Sequence, residues 1–380
     1  MRIKIKRLDQ KNFKQKITGQ DTQERQSPVS KTKTPKMNYN NLVEINKNNY
    51  LHLFACCLLT KGHKRSIIVD TQRKNFFFVP NDLYDLLISD IALTVTDFLS
   101  SPNESNRKVL REYLKFLVKK ELVFFSDEAN RFPKINTETD DAFTIDNVVI
   151  DIRKTIRFDL QEAITLFEDL NVQVIQFRVF EGNKETMREI VKSLKNKTFN
   201  SVEILINHNA SFTIGYLAEM ISDNPMIAKM VIFNCDKNAA KKINFYKIST
   251  HDYPLTGKEM CGVVSSKYFN TDFYHFAESL NHNTCLNGKI SIDEEGNIKH
   301  CPSMNENFGF YNKENVLTAI KSKKYIKMSN IAKHQIEICK DCEFRNVCTD
   351  CRAYLSDSGN IFSKPQKCKY DPYTATWSSN

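Results

Sequence analysis

Cys339-Lys-Asp-Cys-Glu-Phe-Arg-Asn-Val-Cys-Thr-Asp-Cys351 sets two Cys-x2-Cys pairs six residues apart. A two-residue gap lets a tight turn aim two thiolates at one centre, and two such pairs in one run are a metal-binding signal. Thiolate-only ligation suits zinc, or iron–sulfur clusters held by four cysteines. Outward from the run, Cys368 follows it, and Cys285 and Cys301 precede it. Between those two, Ile290 and Ile292 share one face of a short strand, Glu294-Glu295-Gly296-Asn297 is a turn signal, and Ile298 begins a return strand. A hairpin of that length brings Cys285 and Cys301 side by side. Seven of the chain's eleven cysteines thus fall between 285 and 368, more than one tetrahedral site needs and one short of two. Cys261, His282, His300, or a group from a substrate or partner are the candidates for the eighth ligand. Spacing alone leaves zinc and iron–sulfur equally open.

The region 261–380 has weak periodicity and would struggle to build a large core, so metal ligation is expected to supply stability there. Before it, residues 146–250 alternate between strand and helix. Strand patterns at Val148–Ile152, Val172–Val179, Ser201–Ile206 and Met230–Phe233 enclose helical ones at Asp159–Leu170, Lys184–Leu194 and Phe212–Ile221. That rhythm predicts an α/β fold with a parallel sheet and crossover helices. A complete eight-stranded barrel takes about 250 residues, so this stretch is read as an open or partial βα barrel. The region 37–132 predicts a hairpin, Ser66–Asp70 with Asn75–Val79. Helices follow from Asp82 (a possible cap) and over Asn106–Lys120, and Leu122–Phe125 closes the region as a strand. The shape is winged-helix-like.

Residues 1–36 carry eleven Lys/Arg against three Asp/Glu, and so hold +8 of the chain's +10. The charge belongs to a polar tail, read as disordered, and Met37 directly after it offers a second start site. No groove-reading motif accompanies the tail, so nucleic acid is not an expected partner. No stretch approaches the roughly 20 apolar residues of a membrane helix, and the N-terminus lacks the apolar core of a secretory signal. A cytoplasmic location without membrane attachment is expected. Thiols stay reduced there, so clustered cysteines mean metal rather than disulfides.

The spacing Cys285, Gly296, Cys301, then Cys339, Cys342, Cys348, Cys351, then Cys368 resembles the SPASM domain, the auxiliary-cluster module of radical S-adenosylmethionine peptide maturases. Two departures stand out. Two residues, Thr349 and Asp350, precede the fourth cysteine of the run where the family commonly has three, and Ser279 stands where some members add a cysteine. The resemblance implies two 4Fe–4S clusters, one on Cys285, Cys301 and Cys351, with Cys261 a candidate to join it, and one on Cys339, Cys342, Cys348 and Cys368. The radical enzymes of the superfamily carry Cys-x3-Cys-x2-Cys after the first barrel strand; here that loop is Arg153-Lys-Thr-Ile-Arg157, without cysteine. The chain is therefore not expected to cleave S-adenosylmethionine by itself. Leu53-Phe-Ala-Cys-Cys57, Gly62, Arg65–Asp70 and Val79–Tyr84 also resemble the SPASM-domain peptide maturases of grasp-with-spasm systems. That family implies an ATP-grasp ligase and a ribosomally made precursor peptide as partners, with residues 40–130 docking the peptide as an added strand. The competing readings are a peptide-delivery adaptor whose C-terminal module holds structural zinc, and a zinc-dependent nucleic-acid binder.

Cys56, Cys57 and Cys235 are read as small buried hydrophobes, and Phe76–Phe78 as core. Arg153, Lys154 and Arg157 stand where a strand-end active site would be, and are read as a solvated loop. No glycine-rich phosphate loop and no nucleophile–histidine constellation is found.

Overall fold

A computed structural model describes residues 46–89, 92–138, 145–236, 247–257 and 260–378. The basic tail read over residues 1–36 lies outside them. The architecture is mixed α/β, with a seven-stranded, mostly parallel sheet, a smaller N-terminal sheet and a cysteine-rich C-terminal region. Among the described residues no helix is long and apolar enough to cross a membrane.

Strands β1 (Tyr50–Leu53), β2 (Cys57–Lys61), β3 (Ser66–Asp70) and β4 (Asn75–Val79) come first. The expected hairpin forms, in register from Ser66↔Val79 to Asp70↔Asn75, and β2 pairs with the other side of β3. Every residue of β3 is buried, because alternation sends Ile68 into one core and Ile67 and Val69 into another. Helices α1 (Asn81–Leu87), α2 (Val95–Leu99) and α3 (Glu104–Lys119) supply the Ile68 side. Asp82 is not the cap of α1. It sits in the first turn behind Pro80, where a carboxylate still meets the positive end of the helix dipole. In α3, Asn103 caps the first turn, and Val109, Leu110, Tyr113, Leu114 and Leu117 face inward as their spacing predicts. The closing strand β5 (Val123–Ser126) pairs antiparallel with β1 rather than with the hairpin.

The other face of this sheet is covered from far along the chain. Ile67, Val69, Phe76 and Phe78 pack with Phe269, Phe344, Val347 and Tyr370, so the small sheet and the cysteine run share a core. Arg65 fastens the join. Its Nε donates to Glu343 Oε1 at 2.7 Å, its guanidinium lies 3.5 Å from the Phe78 ring centroid, and Glu343 is wholly buried. The His63 backbone N–H donates to the Asp341 carbonyl at 2.7 Å, and Arg345 donates to the Lys61 carbonyl.

The large sheet begins with β6 (Asn147–Ile152), α4 (Leu160–Asp169), β7 (Val174–Val179), α5 (Lys184–Ser193), β8 (Ser201–Asn207), α6 (Ile214–Asp223), β9 (Ile227–Phe233) and β10 (Ile248–Thr250). These strands lie side by side in chain order, all parallel. Each crossover therefore steps the same way, and right-handed connections put the helices on one face. Leu160, Phe167, Met187, Ile190 and Leu217 accordingly share one core with Ile150, Phe177, Ile204 and Ile232. After α7 (Phe273–Asn281), β11 (Lys289–Ile292) and β12 (Ile298–Lys299) extend the sheet at its β6 edge. Ile290 pairs with Val148, and Ile292 with Ile150. The order is β10-β9-β8-β7-β6-β11-β12, an open sheet that takes its last two strands from the cysteine-rich region.

The opposite face is polar over β6 and β7 and apolar further along, where Leu205, Val231 and Phe233 cluster with Phe180 and Leu255. Asp151 on β6 and Arg178 on β7 are 4% and 6% exposed and form a two-point ion pair at 2.6 and 2.7 Å. Gln176 donates to Glu203 at 2.9 Å. Burial lifts the Asp151 carboxyl above its ordinary value, with Arg178 opposing.

Candidate metal centre

The hairpin that carries Cys285 toward Cys301 forms as the turn signal predicts. Ser291 pairs with Lys299, and Ile292 with Ile298. Gly296 is required at the turn on two counts: its φ is +86°, and an added Cβ would stand 2.6 Å from the Phe310 ring. At the other end, buried Asn283 accepts from the backbone N–H groups of Cys285 and Leu286, both at 3.0 Å. Cys351 arrives from the four-cysteine run. The chain at Cys261 passes directly against it, since a Cβ on Gly262 would lie 2.8 Å from Cys351 Sγ. Burial raises the Cys301 thiol to about 11, with Cys285 and Cys261 adding to the rise and Lys289 opposing it. Burial likewise raises Cys351, and again Cys285 and Cys261 add to it. The thiols of Cys285 and Cys261 thus act on both Cys301 and Cys351.

The second group is Cys339, Cys342, Cys348 and Cys368. Burial pushes Cys339 up to about 12, against Lys333 and together with Asp350, Cys348 and Cys368. Burial raises Cys342 well above the ordinary thiol range, helped by Glu343, Cys348 and Cys339. Cys348 is raised by burial too, with Lys333 opposing and Cys368 adding. Cys368 is held in place by a bridge between its backbone and Val264, three residues past Cys261. The run enters this group through Ile338, whose φ of +65° is rare for a β-branched residue.

The two groups meet at Asp350, in the short gap between Cys348 and Cys351. Its carboxylate accepts from the Cys351 N–H at 2.7 Å, from Asn283 Nδ2 at 2.6 Å and from Arg352 Nη2 at 2.8 Å. Asp350 and Arg352 are each 3% exposed. Two lysines complete the electrostatics. Lys333 Nζ donates to Cys348 Sγ at 2.9 Å and to the Cys348 carbonyl at 2.6 Å. Lys289 Nζ lies 3.6 Å from Cys285 Sγ. Burial draws both ammonium groups down, but the surrounding thiols, and Asp350 beside Lys333, more than offset it and leave both raised. His275 lies by Lys333 and the Cys348 backbone; burial brings it down to about 4, so it is neutral at pH 7, and its Nε2 is buried without a protein partner.

Of the candidates for an eighth ligand, Cys261 is exposed and adjoins Gly262, which passes against Cys351 Sγ. His300 bonds the Leu286 carbonyl through Nε2 at 2.8 Å and stacks on Tyr325, and His282 Nδ1 meets Asn330 Oδ1 at 3.1 Å. Burial draws the Arg178 guanidinium down, but Asp151, and after it Cys261 and Cys301, leave it raised. Arg153 and Arg157 are not an open anion site. Arg153 pairs with Glu294 at 2.7 Å and Glu181 at 3.2 Å, and Arg157 with Glu295 at 3.0 Å, so this loop clasps the turn of the cysteine hairpin.

Among the described residues, the one set of three or more potential ligand atoms within 4.8 Å of one another is Cys56, Cys57 and Asp70, a possible metal site. In the sequence, Cys56 and Cys57 read as small buried hydrophobes. Cys57 faces Asp70 across the β2–β3 ladder, a pairing that adjacent cysteines alone do not reveal. Asp70 is also bonded by the Arg73 backbone and guanidinium, both at 2.9 Å, and Cys57 belongs to the core under the N-terminal helices.

Gly262→Ala tests the close passage between Cys261 and Cys351. With φ at +82°, a side chain there is expected to cost about 1–2 kcal/mol from backbone strain, plus the clash with Cys351. Urea unfolding reads the loss, and a variant as stable as the parent would show that the chain has room there.

No family model matches the chain, and no curated protein does. Among solved structures, the crystal structure of Streptococcus suis SuiB aligns over 80% of this chain and 96% of that one, at 9% identity and a TM-score of 0.26. A score that low supports no conclusion about this chain.

Proposed function

We propose that this chain is an iron–sulfur protein of peptide maturation, related to the SPASM-domain maturases. It would carry two 4Fe–4S clusters and act with an ATP-grasp ligase on a ribosomally made precursor peptide. What supports the reading is the cysteine spacing from Cys285 to Cys368, the packing of Cys342, Cys348 and Cys368 against one core, and the close passage of the chain at Gly262 against Cys351. The choice of iron over zinc comes from the resemblance of the cysteine spacing to the SPASM domain, since thiolate ligation alone suits either metal.

The polar face beside the first group takes the place of a radical active site in this reading. Without Cys-x3-Cys-x2-Cys in the loop 153–157, the chain does not cleave S-adenosylmethionine by itself. The precursor peptide would add as a strand to β4, an edge of the small sheet, beside α3, whose Phe116 ring lies 6.3 Å from that of Phe77.

Anaerobically purified protein is expected to be brown and to hold about eight iron and eight sulfide per chain, four of each per cluster. Colourless protein with stoichiometric zinc would overturn the reading in favour of a structural module.

A further inference from the structure

A buried ammonium group is costly unless a counter-charge meets it. Lys333 is 5% exposed and Lys289 is half-buried, and among the described residues neither makes an ion pair with a carboxylate. Asp350, the nearest acid to Lys333 by its influence, is committed to Arg352. What the two lysines do meet is sulfur: Cys348 Sγ at 2.9 Å from Lys333 Nζ, and Cys285 Sγ at 3.6 Å from Lys289 Nζ. One lysine serves each cysteine group. Their positions are fixed by separate elements, Lys289 opening β11 and Lys333 in the short turn after the helix Lys323–Ser329.

We propose that Lys289 and Lys333 are the counter-charges of the two metal–thiolate centres, one each, and that each sets the reduction potential of its own centre. This rests on the iron–sulfur reading above. A cluster held by four thiolates gains one further negative charge when it takes an electron from an external one-electron donor, with no bond or proton exchanged. A fixed cation beside one of its thiolates favours that reduced state, and net charge and hydrogen bonds to sulfur are the levers that move such potentials. The lysines are positioning groups for charge and touch no substrate.

The test is a redox titration of the full chain, purified anaerobically and reduced stepwise with dithionite, followed by electron paramagnetic resonance. Lys333→Met is expected to move one step and Lys289→Met the other. Each should lower the reduced-to-oxidised ratio at the parent midpoint about tenfold, which is about 59 mV more negative for a one-electron couple. Lys333→Gln and Lys289→Gln, which keep a donor and lose the charge, should move as far as the methionine variants. Unmoved midpoints, glutamine variants that behave like the parent, or both lysines shifting the same step would overturn the assignment while the iron–sulfur reading stands. Parent protein without iron would overturn both. If the Lys333 variants fail to fold, Lys289→Met decides alone, and an unmoved step there overturns the proposal.

Discussion

Asp350→Ala is expected to cost roughly 3–5 kcal/mol, the penalty for breaking a buried ion pair by removing one partner, and, on the proposed iron–sulfur reading, to strip metal from both cysteine groups. Three donors lose their acceptor at once: the Arg352 guanidinium, the Asn283 amide and the Cys351 backbone N–H. Arg352 keeps the Ile361 and Ser363 carbonyls, at 3.1 and 2.8 Å, but no compensating charge. Asn283 in turn orients Cys285, so the damage reaches the first group from two sides, while Cys348 of the second is two residues away. Removing both charges should be milder than removing one, because a buried pair replaced by apolar residues of similar size is often neutral. The double variant Asp350→Leu with Arg352→Met is therefore expected to recover at least half of the stability lost, though not the orientation of Cys285. Urea unfolding and iron per chain measure the two effects separately. A single variant within about 1 kcal/mol of the parent would show that Asp350 is not the hub.

That hub also shows where sequence reading ran out. The short gap Thr349-Asp350 stood out as a departure from the SPASM spacing, but spacing cannot say that one residue of the gap is turned inward to bind three donors. The hairpin from Cys285 to Cys301 was legible, since Ile290, Ile292 and Ile298 alternate and Glu294–Asn297 signal a turn. Its pairing with β6 was not, because nothing local to Ile290 points to Val148, some 140 positions earlier. The strands and helices of 146–250 were legible for the opposite reason: each buries its apolar positions against its chain neighbours. Phe76–Phe78 were legible as core by composition. That the rings of Phe76 and Phe78 also meet Phe344, from far along the chain, could not be read, as a shared core between distant segments leaves no period in either. The grouping of Cys261 is of the same kind.

The contact at Phe344 yields the second large expectation. Phe344→Ala should cost about 3–5 kcal/mol, as for other buried Phe→Ala changes, and should loosen two regions together. The ring is 3% exposed. Its centroid lies 5.7 Å from those of Phe76 and Phe78 and 4.9 Å from those of Phe269 and Tyr370. Cys342, Cys348 and Cys368 pack against the same cluster, so the cavity would open beside three thiols of the second group. Phe76→Ala, at a half-buried edge position, should cost less than half as much. Native-state hydrogen exchange distinguishes a local from a shared effect. If the small sheet and the cysteine run are one packing unit, amides of β3 and of residues 339–351 lose protection together in Phe344→Ala. If β3 keeps its protection while the run loses its own, the two pack as separate units, and strain from a peptide added at β4 has no packed route to the second cysteine group. Loss in both means that the small sheet and the cysteine run open as one packing unit, the coupling that the proposed docking of a peptide at β4 needs in order to reach those thiols.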